Sequence, residues 1–394
     1  PPRPYSSNDS FPTNHSFPPA TTKLRPEPTS DPKDFTPSIY QFKTLSGMAP
    51  KRTGDEITSA PAVDIVEHDG ASKRPKPAEK TSSGRFVDFE GDARIYEYSS
   101  AADPNVPRVP VLSLDPEQHQ TGPSRVIPFN LNRQLGLPYA ATSQNLLASY
   151  IRICEGESVE SSAVATSQAF YIIRGEGRSE SEHGTIEWRQ GDLFVLPATS
   201  GPAVHHGIGD SAIYWVSDEP LMKYLGVAPN EQKFRPTLFR KEQLLAEVEV
   251  LKHQENQEHR NRLGILLGNK ATEDGTKTLT HVLWSLLNTI PPNTDQRPHR
   301  HNSVALDFCV SAPAGGKVYT LMGPELDEEG WVKDPVRMDW VTGGAFTTPP
   351  GWWHSHHNES SEAAWVLPVQ DAGLLTHQGV LDIQFSVANK EGKV

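Results

Sequence analysis

Cysteine is nearly missing: Cys154 and Cys309 are the only two in 394 residues, and they lie far apart. A disulfide framework and a CxxC zinc unit are both excluded, and a reducing interior compartment fits. No run of about 18 apolar residues occurs, so no membrane-spanning helix is expected. The first residues, PPRPYSSNDS, do not form the basic-then-apolar pattern of an export leader. An excess of positive charge is missing too. The formal net charge of −12 argues against wholesale binding to nucleic acid or to an anionic membrane, both of which need clustered positive potential. The expectation is a cytoplasmic protein whose partners are small molecules, with no nucleic acid and no membrane among them.

Tryptophan is absent from residues 1–84, which are crowded instead with Pro, Ser, Thr, Asp and Lys. Such a stretch cannot bury enough apolar surface to offset the entropy of ordering, and it is read as a disordered tail. Met48 could be an internal start. The clusters Lys51-Arg52 and Lys73-Arg74-Pro75-Lys76 read as solvated charge or as a nuclear-import signal.

From Arg85 the chain changes to short β-type runs broken by Gly, Pro, Asp and Asn, the pattern of a sandwich or small barrel. One block, 146–220, holds LLASYIRI, AFYIIRG, DLFVLP and AIYWVSD; a second, 278–388, holds LTHVLWSLL, VALDFCV, GAFTTPP and AAWVLPV. Gly191–Pro197 and Gly343–Pro349 echo one another, which marks an internal repeat. Between the blocks, Leu244, Leu245, Val248 and Leu251 fall at helical spacing. The fold class expected is therefore all-β. Its parts are a tail (1–84), an N-terminal barrel (85–228), a helical linker (229–277) and a C-terminal barrel (278–394).

His299 and His301 are two apart and project from one face of a strand. Fifty residues later, in Pro350-Gly-Trp-Trp-His354, a Pro-Gly turn delivers a third imidazole at the head of a new strand. Three neutral histidines suit iron, copper, nickel or zinc and leave coordination positions open for substrate. His356 shares parity with His354 and is expected to hydrogen-bond substrate or support a ligand, while His357 points away, toward a surface or interface. Asp307 shares parity with His299 and His301, so it either faces the pocket, favouring a hydroxyl, amine or cation, or forms a salt bridge at the rim. Ser303, Trp352, Trp353, Tyr319 and Phe308 are candidate pocket walls, with core packing the competing role for the aromatics.

The phrases PHRH and PGWWHSHHN resemble the two cupin motifs, and the likeness extends over nearly all of residues 90–388. The nearest family is the bicupin gentisate 1,2-dioxygenase group. That resemblance implies two cupin barrels, a three-histidine iron(II) centre on His299, His301 and His354, and ring cleavage with dioxygen. It also implies a homo-oligomer. Three departures stand out. The metal-bearing barrel comes second, so the halves are exchanged. Ser303 and Asp307 occupy places where ring-cleaving relatives carry Gln and Arg, which removes a bidentate carboxylate partner. Ser161–Phe170 has no histidine, and the adjacent His205 and His206 point to opposite faces, so the first barrel is read as metal-free. It would serve as scaffold, dimer surface or lid. The function expected is an iron(II)-dependent dioxygenase, with another divalent metal as the alternative cofactor. The competing class is a non-catalytic metal-binding cupin acting as ligand sensor or partner-binding protein. A metal-dependent isomerase or hydrolase is a third option.

Overall fold

The computed structural model describes residues 90–102, 104–254 and 263–386; the expected tail and its basic clusters lie outside them. Within these residues every strand pairing is antiparallel and the strands form four sheets. Two sheets close each barrel. In the first, the six strands from Arg125–Pro128 to Thr237–Phe239 face a four-stranded sheet that includes Glu176–Ser181 and Ala203–Gly207. In the second, the sheet carrying Trp284–Ile290, Ala305–Ser311 and Ala364–Gln370 faces the one carrying His299–His301, Val318–Gly323 and Trp353–Asn358.

The repeat is visible in the ladders. Ser211–Ser217 and Ala364–Gln370 end against Asp218 and Asp371, whose carboxylates accept the backbone N–H of Ser167 and Val304 respectively, each at 3.0 Å. Each carboxylate thereby pins the entry to the next strand of its own barrel.

Leu147–Ile153 and Ser211–Ser217 are buried at every position. One face of each fills its own barrel while the other meets the second barrel, so the sequence shows continuous apolar runs instead of alternation. Tyr214 stacks on Phe308 with ring centroids 4.8 Å apart, and Tyr150 Oη donates to Gly343 O at 2.9 Å. Phe308, a candidate pocket wall in the sequence, thus belongs to the core shared by the two barrels.

The connection is richer than a helix. Lys241–Lys252 is helical and buries Leu244 and Val248, but Thr237–Phe239 joins the first barrel's sheet and Leu263–Leu267 the second's. In the opposite direction Ser113–Leu114, within the stretch assigned to the first barrel, pairs with Ala345–Thr348 of the second. One short segment from the first barrel's stretch therefore clasps the second barrel.

His119 sits in that clasp. Arg174 donates to its Nδ1 at 2.6 Å, which leaves Nε2–H to donate to Gly343 O at 3.1 Å. Burial pushes its pKa down to about 4, and burial likewise pushes His205, inside the first barrel, down to about 3. The unfolded chain takes up these protons from about pH 6.5 while the folded chain refuses them, so stability falls as pH drops through 6.5 toward 4. Asp218, raised to about 6 by burial, carries the opposite sign between pH 6 and its unfolded value. Thermal melts at pH 7, 6, 5 and 4 are expected to show a falling Tm, and His119→Gln to flatten the slope. An unchanged slope in that variant would rule out His119 as a source.

Candidate metal centre

Two strands bring the three histidines together. His299 lies directly opposite His354 in the ladder between His299–His301 and Trp353–Asn358. Gly351, at φ +77, supplies the left-handed turn that a side-chain-bearing residue rarely adopts, and its N–H donates to His301 O at 2.7 Å. The turn before His354 is thereby fastened beside His301. One ring nitrogen from each of the three lies within 4.8 Å of the others, and all three residues are buried.

The tautomers follow from the backbone. Nδ1 of His299, His301 and His354 lies 3.3, 2.9 and 3.1 Å from the carbonyl oxygens of His354, Ser303 and Trp352. A carbonyl can only accept, so each Nδ1 carries the proton and each Nε2 keeps its lone pair. Three such nitrogens, close together and fixed by backbone, fit a divalent transition metal. Among the described residues no other group of three His, Cys, Asp or Glu meets this condition.

Their rings line a cavity of about 200 Å³ together with His356, Asp307, Asn288 and Gln370, and with apolar walls from Trp284, Leu286, Val366, Pro368, Ile383 and Phe385. Asp307 therefore faces the cavity, and Thr348 Oγ1 donates to its carboxylate at 2.6 Å. His356 also lines it but stays outside the trio; its Nδ1 is 2.8 Å from Thr320 Oγ1, which accepts from Trp340 Nε1 at 2.8 Å.

Other residues expected at the site lie elsewhere. Ser303 sits behind His301 and bonds Gln370 Oε1 at 2.7 Å, so it buttresses the pocket without lining it. Trp352 packs in a neighbouring core cluster, and Trp353 lies under the Arg300 guanidinium, 5.0 Å from its ring. Tyr319 is on the far face of its strand, bonded to Glu359 and stacked on His357. His357 is not at a surface; it is buried between Tyr319 and Trp331, with Nδ1 at 2.7 Å from Asp295. The apolar wall comes instead from Trp284, Leu286 and the closing strand Ile383–Phe385. Asn288, an amide in the apolar run LWSLLNTI at the parity of Trp284 and Leu286, was the signal for that wall.

The first barrel has the same plan with different contents. Phe194 and Phe346 hold one place in the repeated phrase, and they pair with Phe170 and Asp307. Phe170 and Asp307 in turn face Trp215 and Pro368, and both ladders then bulge after Ile172 and Cys309. Across the next strand, Ile151 is the counterpart of Asn288. On the opposite sheet Trp188–Ser179–His205 repeats Trp340–Thr320–His356, and the pair Ser161 and Ala203 repeats His299 and His354. His301, two residues after His299, falls at Ala163. Phe170, Phe194 and Trp215 stack where the second barrel has its cavity.

No family model and no curated protein matches this chain. Among solved structures it is similar to salicylate 1,2-dioxygenase from Pseudaminobacter salicylatoxidans. The TM-score is 0.57 at 15% identity over 75% of this chain and 95% of that one. A structure of that enzyme's adducts with gentisate gives 0.56 at 14% identity, over 74% and 90%. The fold is that of a bicupin. In this bicupin the histidine trio belongs to the C-terminal barrel, and no helix among the described residues is long and apolar enough to cross a membrane.

Proposed function

We propose that the C-terminal barrel is an iron(II)-dependent dioxygenase site that cleaves the ring of a hydroxylated aromatic compound, with His299, His301 and His354 as the metal ligands. The observation that carries this reading is the buried trio of imidazoles with backbone-fixed tautomers at the wall of a ring-sized cavity. Iron(II), when bound, supplies the redox centre at which a hydroxylated ring and dioxygen are activated together. The chain does the rest. Trp284, Leu286, Ile383 and Phe385 supply apolar surface on which the ring packs beside the trio. Asp307 accepts a hydrogen bond from a substrate hydroxyl, and His356, held through Thr320 by Trp340, orients the substrate from the opposite sheet.

The test is oxygen uptake. Protein purified anaerobically and loaded with iron(II) is given catechols, aminophenols, gentisate and salicylate. The expected result is one dioxygen consumed per ring, with loss of the aromatic absorption. Silence across the panel, with iron bound at one per chain, overturns ring cleavage and favours a metal-binding ligand sensor. Turnover confined to zinc- or nickel-loaded protein would favour an isomerase or hydrolase.

A further inference from the structure

Two polar groups in the cavity wall stand where the first barrel has apolar side chains. Asn288 is 1% exposed, and its Oδ1 has no hydrogen-bond partner. Asp307 is 4% exposed and ionisable in the same wall, two strands away. The first barrel shows what the architecture takes at these places when nothing has to bind: Ile151 for Asn288 and Phe170 for Asp307, both fully buried. An amide left unsatisfied inside a barrel costs stability that an isoleucine would not. Trp215 Nε1 in the first barrel is also unpartnered, but that indole is stacked on Phe170 in a closed aromatic cluster, where its buried area offsets the loss. Asn288 instead borders open volume.

The wall also has no cationic Lys or Arg side chain. The two guanidiniums nearest in sequence to the trio are turned outward: Arg297 lies over Trp331 and donates to Glu329 O, and Arg300 lies over Trp353 and donates to Gln384. Unless it sat on the metal itself, a carboxylate on the substrate would meet Asp307 with no bidentate guanidinium to offset the repulsion. A hydroxyl or amino group would instead donate to Asp307 and be matched by the Asn288 amide, whichever way that amide is turned.

We infer that this site selects uncharged aromatic diols or aminophenols over aromatic carboxylates, with Asn288 and Asp307 reading a hydroxyl or amino group on the ring. The inference rests on the reading of the C-terminal barrel as a metal site that takes a hydroxylated ring, but its test needs no turnover. Zinc-loaded full-length protein is titrated calorimetrically with catechol, 2-aminophenol, salicylate and gentisate. The uncharged ligands are expected to bind at least tenfold more tightly than the two carboxylates. Asn288→Ile, the first barrel's residue, should weaken catechol or aminophenol binding roughly tenfold while raising Tm. The isosteric Asp307→Asn should narrow the gap between catechol and gentisate by improving gentisate binding. Tighter binding of gentisate than catechol by the unmodified protein overturns the inference, as does unchanged affinity in both variants. Oxygen uptake separates the two readings. Binding preference without uptake removes ring cleavage and leaves the selectivity standing, whereas turnover of gentisate alone removes the selectivity and leaves ring cleavage standing.

Discussion

Replacing His301 by alanine is expected to abolish retention of one iron(II) per chain after dialysis and to lower oxygen uptake at least a hundredfold. Changes to groups that merely support a metal ligand commonly cost roughly 10–100-fold in affinity or activity, and loss of one of three neutral ligands exceeds that. The usual objection to such a variant is that it fails to fold. The sister barrel answers it: the counterpart of His301 is Ala163 and that of His354 is Ala203, both buried in an intact barrel. His301→Ala and His354→Ala should therefore keep their antiparallel ladders and melt cooperatively. His357→Ala is the control, since that ring lies on the outer face against Asp295 and Tyr319. It should keep its metal while losing some stability. Metal analysis by mass spectrometry and an oxygen electrode decide the matter; full iron content in His301→Ala would remove the trio as the ligand set.

Parity and turn chemistry made the trio legible in the sequence. A strand forces His299 and His301 onto one face, Pro350-Gly351 turns the chain just before His354, and the resemblance of both phrases to the cupin motifs joined the two halves of the site. Asp307 was legible for the same reason, although parity could not distinguish cavity from rim. The apolar wall was not legible, because proximity to a motif is a poor guide to facing it: Trp352 and Trp353 sit beside His354 in the chain and elsewhere in space, and Tyr319 is turned to the far face of its strand. The residues that do line the cavity come from strands paired through long-range register, such as Trp284 opposite Gln370 and Phe385 opposite His299. Register of that kind depends on both partners at once. The clasp between barrels was hidden likewise, since Ser113–Leu114 is too short for periodicity to show a strand. What betrays it is only the unusually complete burial of the strands on either side of the interface.

Phe170→Ala is expected to be the most destabilising single change outside the metal centre. Phe170 is fully buried and lies between Phe194 and Trp215, at centroid distances of 4.7 and 5.8 Å with nearly parallel planes. Removing such a ring from a packed interior costs about 3–5 kcal/mol through lost transfer free energy and the cavity left behind. In a domain pair of this size that corresponds to a fall in Tm of roughly 5–8 °C. Its counterpart Asp307 lies in a wall that already borders open volume, so Asp307→Ala should cost much less. The comparison tests whether the first barrel is a filled scaffold and the second a hollow site. Because Tyr150, Tyr171, Tyr214 and Phe308 form one core between the barrels, calorimetry should show a single transition that moves as a whole in Phe170→Ala. Iron retention below that transition should be unaltered. Two separate transitions, with only the lower one displaced, would mean that the barrels unfold independently and that the shared core does not couple the scaffold to the site.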